Sequence, residues 1–352
     1  MLNSAYTTSL KNLYNQNRTL NSDLITIHNL INSQGTLVRI TNFGAIITHF
    51  FVPDRSGNLI DIVLGFDTVG DYSKESYLDN YPWFGAAIGR YANRIKNASF
   101  SIDEKEYKLT ANNGNNQLHG GFSGFDKKIW KVIGKESNSL ELTYTSVDGE
   151  EGYPGNCKVT LRFELTENNE LSYEFTATTD HPTPVNLTHH DYFNLDGKGN
   201  IATHLFKIHS NEMLEQDQHV VANGNILPVI DSVYDFTNFK TPDEKSLLSG
   251  NYDISYVSNK KSTLLAEARS LTSGIGLKVF SDAPVVHFYA GKWIPEVVGK
   301  DGNLYEPFSG FCFETQVHPN AVNVGHFPNT ILNPGETYSL KTIYQVAISD
   351  DE

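Results

Sequence analysis

His189 and His190 stand side by side in the stretch Pro184-Val185-Asn186-Leu187-Thr188-His189-His190-Asp191-Tyr192-Phe193-Asn194-Leu195. Val185, Leu187, Tyr192, Phe193 and Leu195 have the character of a buried strand and its exit. Buried polar groups need partners, and this run carries two imidazoles, a carboxylate and two amides. Histidine titrates nearest to neutral pH, so one of the pair is expected to give a proton inside a cleft. Successive side chains of a strand point to opposite faces, so a regular strand lets only one of them serve a given pocket. A histidine held for structure alone is the competing reading. Glu314 is the second residue of this kind. It lies between aromatics in Phe311-Cys312-Phe313-Glu314-Thr315-Gln316, where a carboxylate must be paired or lose its hydration at a cost. An imidazole and a carboxylate brought together supply a general acid and a general base. Arg94, His119 and Asp253 are also polar where the pattern predicts burial. Being scattered along the chain, they can meet only through the fold.

Other chemistries fit less well. No Gly-x-Ser-x-Gly offers a serine nucleophile, and no glycine pattern for a dinucleotide or a phosphate loop follows a strand. The 12 histidines have no metal-site spacing, so neither metal nor cofactor is expected. Cys157 and Cys312 are the only cysteines, and two free thiols in a reducing compartment are simpler than a bridge. Asp253 and Glu314 flanking a sugar would make a glycosidase, and that alternative stays open on chemistry alone.

The elements that must position these residues read as strands. Thr36–Ile40, Ala45–Val52 and Leu59–Phe66 follow one another as a meander, with the turn residues 53–58 between the last two. Phe100–Leu109 reads as a hairpin turning at Asp103-Glu104-Lys105. Leu140–Val147, Lys158–Leu165, Leu171–Thr178, Leu277–Phe280, Val285–Tyr289 and Thr337–Ile348 are further strands. Residues 67–77 have room for a helical turn or two, and a short helix starts at Thr241-Pro242-Asp243-Glu244 and ends at Gly250. Tyr81–Ile95 is rich in Gly, Ala and aromatics yet holds Arg90 and Arg94. Each arginine is expected to be salt-bridged or to point into a polar cleft. The loop 112–121 carries His119 against two glycines, which let a ligand approach closely. Long amphipathic helices and repeats are absent. The fold class is therefore all-β, an antiparallel sandwich or barrel with few short helices, built as one domain over residues 1–352, with 1–25 an extra N-terminal segment.

Composition narrows the partners. The chain has 352 residues, 39% hydrophobic and 19% charged, enough to bury a large core. A net charge of -14 disfavours nucleic acid and anionic membranes. The polar N-terminus lacks a signal-peptide run and no stretch is apolar enough to span a bilayer, so a cytoplasmic protein is expected. Aromatics are 12% of the chain, and flat apolar faces suit a stacked ligand.

Five blocks taken together resemble the aldose 1-epimerase (galactose mutarotase) family: Gly89-Arg90-Tyr91-Ala92-Asn93-Arg94-Ile95, Asn116-Gln117-Leu118-His119-Gly120-Gly121, Glu151-Gly152-Tyr153-Pro154-Gly155, the stretch from Pro184 to Leu195, and Gly310-Phe311-Cys312-Phe313-Glu314-Thr315-Gln316. They come in the family's order, and the resemblance runs from about Ile40 to the C-terminus. It implies a large antiparallel β-sandwich of the galactose mutarotase type, and anomers of free aldoses such as galactose or glucose interconverted without a cofactor. It implies His190 as the general acid at the ring oxygen and Glu314 as the general base at the anomeric hydroxyl. Asn93, Arg94, His119, Tyr192, Asp253 and His287 then become sugar-binding positions, and Trp83 or Phe288 would stack on the ring. A monomer or homodimer is expected. Three positions depart from the family pattern: His189 where Asn is usual, Ile254 where His is common, and His287 where Gln is frequent. A sugar-binding protein without catalysis, and a relative acting on maltose or on phosphorylated hexoses, are the competing readings. The phosphosugar relative would show a cluster of Lys or Arg at the pocket rim.

Overall fold

A computed structural model of the chain describes residues 24–250, 252–258 and 263–348. Residues 1–23 of the expected N-terminal segment lie outside the described residues. Two sheets form the body. The larger has eight strands in the order Lys131–Lys135, Ser139–Ser146, Cys157–Leu165, Glu170–Thr179, Tyr338–Ile348, Ile275–Ser281, Leu264–Arg269, Leu205–Ile208. The other has five, in the order Ala222–Pro228, Glu212–Gln216, Asp253–Val257, Val285–Tyr289, Cys312–Gln316. A four-stranded sheet holds the N-terminal meander, Ile27–Ile31, Leu37–Thr41, Ile47–Pro53 and Leu59–Asp61. Neighbouring strands in these sheets pair antiparallel.

Alternation drives the packing. In Glu170–Thr179 the residues Leu171, Tyr173, Phe175 and Ala177 are buried while their neighbours are more exposed. They share one core with Tyr256, Val286, Phe288 and Phe313 of the five-stranded sheet. Each such Leu, Val or Phe contributes about 1.5–3 kcal/mol by leaving water. Tyr173 and Thr315 link the sheets through a 3.1 Å hydroxyl contact. The antiparallel sandwich expected from the strand pattern is the fold observed, with two short α-helices among the described residues, Glu75–Leu78 and Glu244–Ser249.

The differences from expectation have local causes. The helix near residue 241 starts two residues late, because the Asp243 carboxylate, not Thr241, accepts the Ser246 N–H at 2.8 Å. The hairpin at residues 99–108 turns where expected, with Asp103 and Glu104 both left-handed at φ 49 and 63, as a tight hairpin requires. Leu59–Phe66 pairs as a strand only over Leu59–Asp61. The stretch from Pro184 to Leu195 is buried but is no continuous strand: its ladders are two residues long, Thr183–Pro184 and Thr188–His189, and beyond them it makes isolated bridges from Asn186 to Tyr91 and from Phe193 to Val63 and Phe311. Its side-chain amides add to these backbone contacts. The Asn186 side chain accepts the Val317 N–H and donates to Val317 O, and the Asn194 amide donates to Ser309 O at 2.8 Å.

Candidate active site

The five-stranded sheet carries two cross-strand rows on one face. Ser255 stands opposite His287 and His287 opposite Glu314, while in the next row Asp253 is opposite Tyr289 and Tyr289 opposite Cys312. The intervening Ile254, Tyr256, Val286, Phe288 and Phe313 belong to the core. A strand's two-residue period thus gives one sheet an apolar underside and a face of acids, histidines and tyrosine. That face is the floor of a cavity of about 650 Å3.

The walls come from loops. His190 and Tyr192 follow the short strand Thr188–His189, Asn93 precedes and Arg94 begins one strand of a two-stranded sheet whose partner strand, Gln117–Leu118, brings His119 back beside Asn93, and Trp83 leads in from the aromatic-rich segment. Trp83, Asn93 and His119 all have positive φ, at 57, 60 and 51. Non-glycine residues there are uncommon and concentrate at functional sites. Gly120 makes the His119 corner possible. A Cβ on it would stand 1.9 Å from the Gly89 carbonyl oxygen, so this glycine admits neighbouring backbone rather than a ligand.

His190 Nε2 lies 3.7 Å from Glu314 Oε1. Burial lowers the His190 pKa from its ordinary value, the Glu314 carboxylate works against that, and His287 adds to the lowering. Cys312 Sγ is 3.5 Å from His190 Nδ1 on the ring's other side. Burial, reinforced by the Glu314, Asp191 and Asp253 carboxylates, raises the Cys312 thiol well above its ordinary value, so it stays protonated and donates to Nδ1. When the thiol donates to Nδ1, the hydrogen of neutral His190 is on Nε2, toward Glu314. Tyr192 stacks on the His190 ring at 5.0 Å and Trp83 at 6.1 Å. Glu314 Oε2 and Trp83 Nε1 are buried without a hydrogen-bond partner, so they suit a ligand rich in hydroxyls.

His119 is fixed in one tautomer. Its Nδ1 accepts the Asn93 N–H at 3.2 Å, and burial, with the His190 and Arg94 charges next, holds its pKa well below the ordinary value. The ring is therefore neutral, with its hydrogen on Nε2. His119, His190 and Glu314 bring donor atoms within 4.8 Å of one another, a set that could hold a metal ion among the described residues. Ligation through His119 Nε2 would require removing that hydrogen, so the trio suits proton transfer better. Asp253 is the other acid in the cavity. Burial would raise it, but the His287 hydrogen bond and charge, with Arg94 and His190 beyond, bring it below the ordinary carboxyl value.

All eight residues named from the sequence, His190, Glu314, Asn93, Arg94, His119, Tyr192, Asp253 and His287, line this one cavity. Other expectations need correction. Arg90 is neither in the cavity nor held by a carboxylate. Its guanidinium is buried and donates to the carbonyls of Ser146, Val147, Pro154 and Gly155 and to the hydroxyls of Ser146 and Thr183. Phe288 lies in the core, so of the two aromatics considered for stacking only Trp83 faces the cavity. Two of the three departures are also turned away. His189 is buried between Asp191 Oδ2 at 2.9 Å and Ala45 O at 3.1 Å, and Ile254 joins the core. Tyr289, Asn113 and Trp293 line the cavity without having been singled out. Tyr289 was within reach of sequence reasoning, because it is two residues from His287 on one strand. Cys157 and Cys312 are free, as expected, and both are buried.

A β-sandwich whose cavity holds an imidazole beside a carboxylate among hydrogen-bonding side chains has the parts of an enzyme that moves protons, and comparison with known proteins says which. The sequence model of the aldose 1-epimerase family matches residues 26–345. Galactose mutarotase of Sus scrofa is 39% identical over 321 residues, covering 89% of this chain and 91% of that protein. Aldose 1-epimerase of Escherichia coli K12 is 32% identical over 329 residues, covering 90% and 93%. The crystal structure of an aldose epimerase homologue from C. elegans superposes with a TM-score of 0.87 at 31% identity, covering 93% of this chain and all of that one. The chain belongs to the aldose 1-epimerase family, and so to the isomerases.

Proposed function

We propose that the chain interconverts the α and β anomers of free aldoses, galactose and glucose among them, with Glu314 as general base and His190 as general acid. The observation that carries this is the 3.7 Å separation of His190 Nε2 and Glu314 Oε1 in one buried cavity. The exocyclic O1 and the ring oxygen of a pyranose are bonded to the same carbon, so two groups this close can serve both at once. Glu314 takes the proton from O1 while His190 protonates the ring oxygen. The C1–O5 bond breaks and an aldehyde forms. Rotation about C1–C2 presents the other face, and closure with the transfers reversed gives the other anomer. The Nε2 hydrogen of His119 and the Arg94 guanidinium stabilise charge developing on oxygen, and Trp83 supplies an aromatic face.

The remaining features fit a neutral sugar. Arg94 and Lys292 line the cavity alongside Asp253, Glu296 and Glu314, which is no cation cluster for a phosphate. The lowered Asp253 suits a hydroxyl acceptor better than the protonated acid of a glycosidase. One domain is supported by the large core that both sheets share, and a cytoplasmic setting by two free, buried thiols. No helix among the described residues is long and apolar enough to cross a membrane. Polarimetry of freshly dissolved α-D-glucose and α-D-galactose tests the proposal. The protein is expected to accelerate the approach to equilibrium well beyond the spontaneous rate and to leave a disaccharide uncleaved. Saturable sugar binding with an unaltered trace would instead mark a non-catalytic binding protein.

A further inference from the structure

Behind Asp253 runs a buried chain of hydrogen bonds. His287 Nε2 is 2.9 Å from Asp253 Oδ1, and His287 Nδ1 is 2.8 Å from Ser255 Oγ. Ser255 and His287 are buried, while Asp253 is partly buried and lines the cavity. The residue types are those of a nucleophilic triad, but the order is reversed with respect to the cavity. The carboxylate is at the open end and the serine at the closed end, so the serine attacks nothing. Ionised Asp253 only accepts hydrogen bonds, so His287 donates from Nε2 and, when neutral, accepts the Ser255 hydroxyl at Nδ1. Both ring nitrogens are thereby used within the protein. His287 lines the cavity yet has no polar atom left for a sugar.

We infer that His287, braced by Ser255, is a positioning residue that orients Asp253 so that its Oδ2 selects one hydroxyl on the sugar edge away from C1. Register gives the geometry. Asp253 lies two strands from the strand of Glu314 and one row along. Two strand spacings of about 4.8 Å put the two strands roughly 10 Å apart, room for a pyranose with a hydrogen bond at each end. With C1 at Glu314, the ring presents its distal edge to Asp253. Of the three positions noted as departing from the resemblance, His287 is the one that lines the cavity, and the hydrogen bonds that brace Asp253 run through it. The inference rests on the anomerase reading above.

The test uses the full-length protein, polarimetry, and glucose, galactose and glucose lacking its 3-, 4- or 6-hydroxyl. His287→Ala is expected to raise KM for glucose about tenfold while kcat stays within about twofold. Ser255→Ala, a smaller change that keeps the protein folded if His287→Ala does not, moves KM the same way by less. His287→Gln, whose amide can donate to Asp253, regains most of the loss. The double variant His287→Ala/Asp253→Asn is no worse than Asp253→Asn alone, and for one deoxy sugar the His287→Ala penalty vanishes. A loss in kcat at constant KM, additive effects in the double variant, or the same penalty for every deoxy sugar would overturn the inference. A wild-type protein that anomerises none of these sugars would overturn the underlying reading instead, and this inference with it.

Discussion

His190 Nε2 and Glu314 Oε1 are 3.7 Å apart although 124 positions separate the two residues, one on a loop and the other on the five-stranded sheet. The gap is narrower than a pyranose, so the two do not face each other across the ring. They address one edge of it, where both reacting oxygens meet at C1. Proximity of this kind supplies much of what ring opening asks of an enzyme.

The electrostatics of the pair set a pH dependence. Burial lowers the His190 pKa below that of an ordinary histidine and the Glu314 carboxylate limits the drop. The imidazolium proton is lost as pH rises through that lowered value. The alkaline limb of kcat/KM is therefore expected to have its midpoint below the unperturbed pKa of about 6.5. Following the His190 ring by NMR, Glu314→Gln should move its titration lower still, because the one neighbour that most favours the charged ring is gone. A titration moving upward would contradict the geometry.

Acid should destabilise the fold in a defined window. His204 Nε2 accepts the Leu195 N–H at 3.0 Å, and burial lowers its pKa to about 4. The unfolded chain binds the proton first as pH falls below about 6.5, so stability is lost from there down to about pH 4 and then levels off. The size for this residue is on the order of 3 kcal/mol. His204→Gln keeps an acceptor for Leu195 but cannot take the proton. Urea titrations of both proteins across this window should give the variant the shallower pH dependence.

Two arginines four residues apart should separate stability from activity. Arg90→Met strands the carbonyls of Ser146, Pro154 and Gly155 inside the protein, at a cost of roughly 3 kcal/mol or more. The molecules that remain folded should keep their rate. Arg94→Met leaves the core alone, and is expected to lower kcat/KM roughly tenfold to a hundredfold with little change in melting temperature. Calorimetry and polarimetry on the two variants check both halves.

The strands were legible in the sequence because burial alternates along them. Leu171, Tyr173, Phe175 and Ala177 share one face, and the order of the amino acids alone displays that two-residue period. The cavity-lining set was legible for a different reason: the polar residues that broke the apolar pattern, His190, Glu314, Arg94, His119 and Asp253, did so because they face a cavity. Arg90 broke the pattern too, but backbone carbonyls satisfy it, and nothing in the sequence tells a carbonyl cage from a cleft. His189 was equally opaque. Its partners are Asp191, two residues away, and a carbonyl at Ala45 that only the fold brings near. The extended stretch around it reads as a strand because it is apolar and buried, yet its backbone pairs in short pieces with several segments, and two side-chain amides add further bonds. Trp83 and Phe288 could not be ranked until the faces of Val285–Tyr289 were known.

The central claim is that one imidazole and one carboxylate move the protons of ring opening. The most direct measurement is the polarimetric rate of His190→Asn and Glu314→Gln on fresh α-D-galactose, corrected for spontaneous mutarotation, with circular dichroism to verify the fold. Each substitution is expected to lower kcat by roughly a hundredfold or more with an unchanged spectrum. A wild-type rate in either variant would contradict the account and remove that residue from the chemistry.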